Sequence, residues 1–173
     1  SFYLDIIKDR LYCEETNGLP RRSAQTALWL ILDTMTKIFA PILAFTCDEI
    51  WQAMPHRDGD DPRNVLLNEM NKPFAEYALG EDAMAAWDKL VKVRDTVNGA
   101  LETARNEKKI GKSLEAKVDL TVPQELANQK FMDADELADL LIVSQVRVST
   151  GTETKVDVEP AQGAKCERCW KIL

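Results

Sequence analysis

The chain has 173 residues, of which 45% are apolar and 29% charged, and its net charge is −7 at pH 7. This length and composition are typical of a folded protein with either one domain or one medium and one small module, and no apolar stretch is long enough to span a bilayer. The acidic charge argues against nucleic-acid binding through a uniformly basic surface, so any polyanion must bind to local patches.

The first part of the chain predicts helices joined by short breaks. Apolar residues at helical spacing from Tyr3 to Leu11 predict a first amphipathic helix that ends before Asn17-Gly18. A second helix is predicted over 19–39 and a third over 43–54. Pro41 should end or kink the second helix after Phe39, and the polar stretch 56–72 predicts a long exposed loop. The apolar stripe of the second helix consists of Ala24, Ala27, Leu28, Ile31, Met35 and Ile38.

A longer helix is predicted from about Glu81 to Lys109, with Gly111 as its stop. Its apolar face consists of Trp87, Leu90, Val97, Leu101 and Ala104. Gly99 lies inside this helix, where glycine costs about 1 kcal/mol relative to alanine. Close helix packing is the explanation that the sequence suggests for this glycine.

The hydrophobic period changes after Gly111. Alternating residues predict a strand over 118–122, a helix is predicted over 133–142, and two short strands are predicted over 146–148 and 156–158. The predicted domains are residues 1–112 (helical), 113–164 (a small α/β module) and 165–173 (a third element).

The third element contains a Cys-x-x-Cys motif formed by Cys166 and Cys169. Two thiolates at this spacing can bind one metal ion, and a structural zinc site needs four ligands. Cys13 and Cys47 are isolated, so the second ligand pair is expected outside the chain, which is then a fragment of a longer protein with an empty or weak site. A redox pair is the alternative, but it would need a strand-to-helix junction. Cysteines without framework spacing indicate a reducing compartment, the cytosol.

Basic residues cluster between 105 and 117 and include Arg105, Lys108, Lys109 and Lys112. Such a cluster can bind phosphates, but cations also collect at helix carboxyl ends because they complement the helix dipole. Both interpretations stay open on composition alone. His56 has no nucleophile or carboxylate partner in the sequence, so we expect a solvated loop residue and no catalysis.

Five segments resemble one family, and they occur in its order. Residues 2–12 closely resemble the opening of the anticodon-binding domain of bacterial isoleucyl-tRNA synthetases. Residues 21–26 and 40–51 are similar to its second and third helices, although 40–51 also resemble the valyl and leucyl enzymes. Residues 109–116 resemble the join to the following module, and 165–170 resemble the first half of the zinc knuckle.

This resemblance implies a mainly α fold: an antiparallel helical bundle of the class I synthetase anticodon-binding type, a small α/β module and a truncated zinc-knuckle stub. It implies the tRNA-reading region of an ATP-dependent isoleucine–tRNA ligase. The chain has no His-Ile-Gly-His-type or Lys-Met-Ser-Lys-Ser-type signature, so we expect it to be non-catalytic, with ATP and Mg used by a catalytic domain outside it. The expected zinc ligands are Cys166 and Cys169. The expected partners are isoleucine tRNA and the catalytic and editing domains of the same polypeptide, in a cytoplasmic monomer.

Placement and charge suggest which side chains contact tRNA. The predicted tRNA-binding residues are Lys8, Arg10, Arg21, Arg22, Arg105, Lys108, Lys109 and Lys112. Lys8 and Arg10 have an alternative role in holding the bundle against the catalytic domain. The competing hypotheses are a valyl or leucyl anticodon-binding domain, a helical protein-interaction module with a metal-bound tail, and a Cys-x-x-Cys oxidoreductase.

Overall fold

The computed structural model describes residues 2–173, in which helices predominate over one small sheet. The helices are α1 (Phe2–Ile6), α2 (Lys8–Tyr12), α3 (Leu19–Phe39), α4 (Ala44–Ala53), α5 (Glu81–Asn106), α6 (Gln124–Ala127) and α7 (Ala134–Leu141). The strands are β1 (Ala116–Pro123), β2 (Gln145–Gly151) and β3 (Lys155–Pro160). The predicted mainly α class is therefore confirmed. Across residues 2–173, no helix is both long enough and apolar enough to cross a lipid bilayer.

Most predicted elements are present, and proline explains the sharpest boundary. Helix α3 ends at Phe39, two residues before Pro41, as the sequence predicts. The first predicted helix is instead two short helices, because the backbone of Ile7 leaves helical geometry between them. The predicted loop over 56–72 contains one short turn of 3₁₀ helix at Val65–Leu67.

The chain forms two compact units, and the first combines residues 2–14 with 79–173. The second unit contains residues 15–78. Helix α5 belongs to the first unit because its buried face shares one hydrophobic core with the sheet. These units divide the chain differently from the boundary predicted near residue 112, and the division into 1–112, 113–164 and 165–173 stays a prediction.

The sheet of the first unit has the order β2-β1-β3. Strand β1 pairs in parallel with β2 and antiparallel with β3, so α6 and α7 form the crossover that parallel pairing requires. Alternate residues of β1 are fully buried against α5 and α7, as the predicted alternation indicated. Their buried side chains are those of Ala116, Val118, Leu120 and Val122.

Gly99 is not explained by close packing. A methyl group built at this position meets nothing within 4 Å, so the expectation from the sequence is wrong. By contrast, a methyl group at Gly151 would lie 2.5 Å from a side-chain carbon of Thr121. Gly99 therefore lowers the stability of α5 and no close contact in the structure requires it.

The second unit has a small apolar core formed by Ala40, Cys47, Trp51 and Val65. The predicted stripe of α3 is not its buried face, because Ile31, Met35 and Ile38 are 48–49% exposed. The side chains that α3 buries are those of Ala24, Asp33, Thr36 and Lys37. This helix therefore encloses a charged pair where the sequence predicted apolar packing.

The buried pair is tied to the loop that follows α4. Asp33 contacts Lys37 Nζ at 3.0 Å and accepts hydrogen bonds from Arg57 Nη2 at 3.2 Å and Asn71 Nδ2 at 2.6 Å. Asp60 adds a second carboxylate 3.7 Å from Lys37. One carboxylate thus joins α3 to both ends of the loop over 56–72 and fixes the loop on the helix.

His56 is also part of this packed region, so its predicted place in solvent is wrong. Its ring is half-buried, lies 4.5 Å from the Trp51 ring and donates from Nε2 to the Trp51 carbonyl oxygen at 2.9 Å. A histidine that closes the end of α4 in this way has a structural role.

Candidate nucleic-acid interface

The turn after α5 gathers basic side chains around one cleft. The backbone of Lys108 is left-handed, with φ of 59°, and the N–H groups of Lys108 and Lys109 bond to carbonyl oxygens of the last helical turn. This reversal places Arg105, Lys108 and Lys109 around a cleft of about 430 Å³, which Gly111 also lines. The structure therefore brings three of the predicted tRNA-binding residues together.

Acidic neighbours hold some of these cations in place. Arg105 pairs with Glu102 and donates to Ser113 Oγ at 3.1 Å, whereas Lys109 pairs with Glu107 at 2.8 Å. Hydrogen bonding to Glu107 raises the pKa of Lys109. Lys108 is exposed at the turn. All three basic side chains are exposed, so the cleft presents its cations to solvent, two of them beside acidic partners.

Glu115 shapes the same turn from inside the cleft. Its carboxylate accepts hydrogen bonds from the backbone N–H groups of Gly111 at 2.9 Å and Lys112 at 3.2 Å. These backbone donors lower the pKa of Glu115. Because this carboxylate is engaged by the backbone, it fixes the turn that carries Lys112.

Trp170 is a candidate contact residue that sequence reasoning missed. Its side chain is 57% exposed, and its ring centroid lies 6.0 Å from Lys112 Nζ and 5.7 Å from Lys165 Nζ. Its neighbour Ile172 lines the basic cleft. An exposed indole flanked by cations is the arrangement on which an unpaired base can stack. The sequence feature that could have identified Trp170 is an aromatic residue beside lysines in the short polar segment 165–173.

The other predicted contact residues lie on different elements. Lys8 and Arg10 are exposed on α2, and Lys8 pairs with Asp5 at 2.9 Å. Arg21 and Arg22 occupy the first turn of α3, in the unit of residues 15–78, and Arg21 is half-buried. A role for these residues in tRNA binding stays a prediction.

The Cys-x-x-Cys motif lies in a closed hairpin at residues 163–173. Cys166 N–H bonds to the Lys171 carbonyl oxygen at 2.8 Å, and Trp170 N–H bonds to that of Cys166 at 2.9 Å. Gly163 is required at the base because its φ is +140° and an added methyl group would lie 2.2 Å from the Leu173 oxygen.

The two thiols are in different environments. Backbone N–H groups of Cys169 and Arg168 lower the pKa of Cys166, whereas burial raises the pKa of Cys169. The N–H groups that converge on Cys166 suit a thiolate ligand, and the donor set fits half of a tetrahedral zinc site. Within the described residues, no group of three or more Cys, His, Asp or Glu side chains has metal-binding geometry. The motif does not lie at a strand-to-helix junction, so the structure offers no support for a redox role.

Comparison of the sequence with known proteins identifies the family of this chain. The family model for the anticodon-binding domain of tRNA ligases matches residues 1–120. The chain therefore belongs to the anticodon-binding domain family of tRNA ligases.

The three curated relatives described next share one name, isoleucine–tRNA ligase. The chain is 45% identical over 185 residues to that of Syntrophotalea carbinolica, an alignment that covers 98% of this chain. It is 42% identical to those of Caldicellulosiruptor saccharolyticus and Coxiella burnetii, over 99% of this chain. In each case the chain spans 19% of the relative's length.

Proposed function

We propose that this chain is the anticodon-binding region of an isoleucine–tRNA ligase and that it binds the anticodon stem-loop of isoleucine tRNA. The family match and the 42–45% identity along nearly the whole chain support this assignment. Amino-acid activation with ATP and Mg would take place in another part of the parent polypeptide. That parent would be a cytoplasmic monomer whose catalytic and editing domains are the further partners of this region.

The observation that carries the proposal is the basic cleft beside the exposed Trp170 ring. An anticodon loop is single-stranded, so its bases can leave the helical stack and lie on an aromatic side chain. Lysine and arginine side chains at the cleft would hold the phosphates and fix the register without reading sequence. The net charge of −7 would repel RNA elsewhere on the surface and so confine binding to this patch.

Zinc has a structural role in this proposal. Cys166 and Cys169 would supply two thiolate ligands, and two further ligands would come from polypeptide outside this chain. Zinc would neutralise the thiolates and fix the hairpin that presents Trp170. Since the site would be fully coordinated by protein, it would leave no open position for catalysis.

The first test removes, in the full-length ligase, the three cations of the cleft together with Lys112 on the adjoining turn. Arg105, Lys108, Lys109 and Lys112 are replaced together by alanine, and the Kd for isoleucine tRNA is measured over a range of salt concentrations. Each lost phosphate contact should reduce the salt slope by about 0.7. The exposed Lys155 of β3, replaced by alanine, is the matched control. An unchanged affinity and slope in the quadruple variant would remove the cleft from the interface.

The second test addresses stacking and the identity of the tRNA. Replacing Trp170 by alanine should weaken binding by about 1–3 kcal/mol, and phenylalanine should restore part of the loss because it keeps an aromatic face. Valine and leucine tRNAs serve as competitors. Preferential binding of valine or leucine tRNA would favour a related synthetase, and equal binding of all three tRNAs would favour a non-specific role, over the isoleucine assignment.

A further inference from the structure

Lys171 joins three distant parts of the first unit. Its Nζ lies 3.0 Å from the Asp9 carboxylate of α2 and also pairs with Asp139 of α7. The Lys171 side chain is only 16% exposed. The lysine therefore bridges two helices and the cysteine hairpin.

Arg168 makes a second connection between the hairpin and α2. Its Nε and Nη2 both donate to the carbonyl oxygen of Tyr12, at 3.2 and 2.8 Å. Tyr12 is the last residue of α2, and carbonyl groups in the last helical turn have no partner within the helix. A cation at this end also complements the helix dipole. The guanidinium thus caps α2.

The base of the hairpin is anchored to the sheet. Ile172 N–H donates to Ser144 Oγ at 2.7 Å, and Gln145 Nε2 donates to the Gln162 carbonyl oxygen at 2.8 Å. Gln145 is the first residue of β2 and Ser144 precedes it, so these bonds fix where the hairpin leaves the core.

A hairpin of this size is at best marginally stable alone in water. Of its apolar side chains, Trp170 and Leu173 are largely exposed. Its order must therefore come from bonds to the rest of the unit. Of those bonds, the ion pairs of Lys171 reach both α2 and α7.

We propose that Lys171 is a positioning residue whose ion pairs hold the hairpin of residues 163–173 against α2 and α7. The order of α2 and the placement of Cys166 and Cys169 then depend on each other. The inference goes beyond tRNA binding and does not depend on it. Coupling of this kind is reciprocal. A change that loosens α2 loosens the hairpin, and a ligand that stabilises the hairpin stabilises α2.

The experiment measures amide hydrogen exchange of the 173-residue chain with metal removed by a chelator. Asp9→Asn keeps the side-chain volume but removes a charge on α2. It should speed exchange of the Cys166, Trp170 and Leu173 amides roughly tenfold, since hydrogen bonds to charged groups are the stronger ones. Asp5→Asn is the matched control, because Asp5 pairs with Lys8 and not with the hairpin. The amides of β1 show whether the fold is intact.

The reciprocal variant is Lys171→Met, with Lys155→Met as its control. It should speed exchange of the Leu11 and Cys13 amides, which close α2 by bonding to the Ile7 and Asp9 carbonyl oxygens. If hairpin exchange in Asp9→Asn stays within twofold of the parent and of Asp5→Asn, the proposal is overturned. Faster hairpin exchange in Asp9→Asn with protected β1 amides supports it, even where Lys171→Met fails to fold.

Discussion

Replacing Asp33 by asparagine is expected to destabilise the unit of residues 15–78 by about 3 kcal/mol. Asp33 is fully buried, and the Lys37 side chain is 5% exposed. Removing one partner of a buried ion pair costs about 3–5 kcal/mol, because an uncompensated charge is left inside the protein. Asp60, 3.7 Å from Lys37, offsets part of this cost, which places the estimate at the lower end.

Urea unfolding followed by tryptophan fluorescence measures this change. Trp29 lies 4.4 Å from the Arg57 guanidinium and Trp51 lies 5.1 Å from Lys37 Nζ, so both report on the unit that contains Asp33. Trp87→Phe and Trp170→Phe in the background remove the signal of the other unit. With a urea dependence of about 1–3 kcal/mol/M, a 3 kcal/mol loss lowers the midpoint by roughly 1–3 M.

Two further variants make the result specific to burial. Asp58→Asn changes an exposed carboxylate of the same loop and should shift stability by no more than about 0.5 kcal/mol. The double replacement Asp33→Leu with Lys37→Met should cost less than Asp33→Asn alone, because it removes both charges. If Asp33→Asn and Asp58→Asn have the same midpoint, the buried pair does not stabilise this unit.

The remaining predictions concern local features. Gly99→Ala should raise the free energy of unfolding by about 0.5–1 kcal/mol in thermal unfolding, because the added methyl group meets open space, whereas Gly151→Ala should lower it. Hydrogen bonds from Arg63 lower the pKa of Asp61 to about 2. The pKa of Asp61 is therefore lower in the folded chain than its unfolded value of 3.8. The stabilisation that the Asp61–Arg63 pair contributes is fully present above pH 3.8 and is lost as the pH falls through about 2. In an NMR titration, Arg63→Gln should return the Asp61 pKa towards 3.8, and an unmoved pKa would contradict the assignment. Cys47 is 3% exposed, so iodoacetamide should modify it only when urea unfolds the chain.

Local signals in the sequence predicted the elements well. Pro41 ends α3, and the alternation of buried and half-buried residues along β1 identifies a strand. Both features depend on neighbouring residues alone, so a single sequence is enough to find them.

Burial in α3 could not be read from periodicity. Asp33 and Lys37 look like an exposed pair one helical turn apart, and only the loop carrying Arg57 and Asn71 encloses them. Which partner a helix face packs against is a non-local property. For the same reason α5, whose own pattern was predicted well, joins the sheet in one compact unit.

The candidate interface was predicted in part. The density of cations over 105–112 is a sequence property, but the cleft exists because Lys108 reverses the chain. Trp170 belongs to no periodic pattern, and its position beside Lys112 depends on a hairpin that long-range ion pairs hold. Charge clusters can therefore be found from sequence, whereas the aromatic surface beside them requires coordinates.

The unit of residues 15–78 is inserted into the chain of the other unit, which has consequences for biosynthesis. A ribosome makes residues 2–14 before their packing partners in α5, α7 and the hairpin, which follow after residue 79. Domains fold as units during synthesis at about 5–20 residues per second. The inserted unit can therefore fold before α1 and α2 have all of their packing partners, and these two helices complete their contacts only after the hairpin of residues 163–173 has left the exit tunnel.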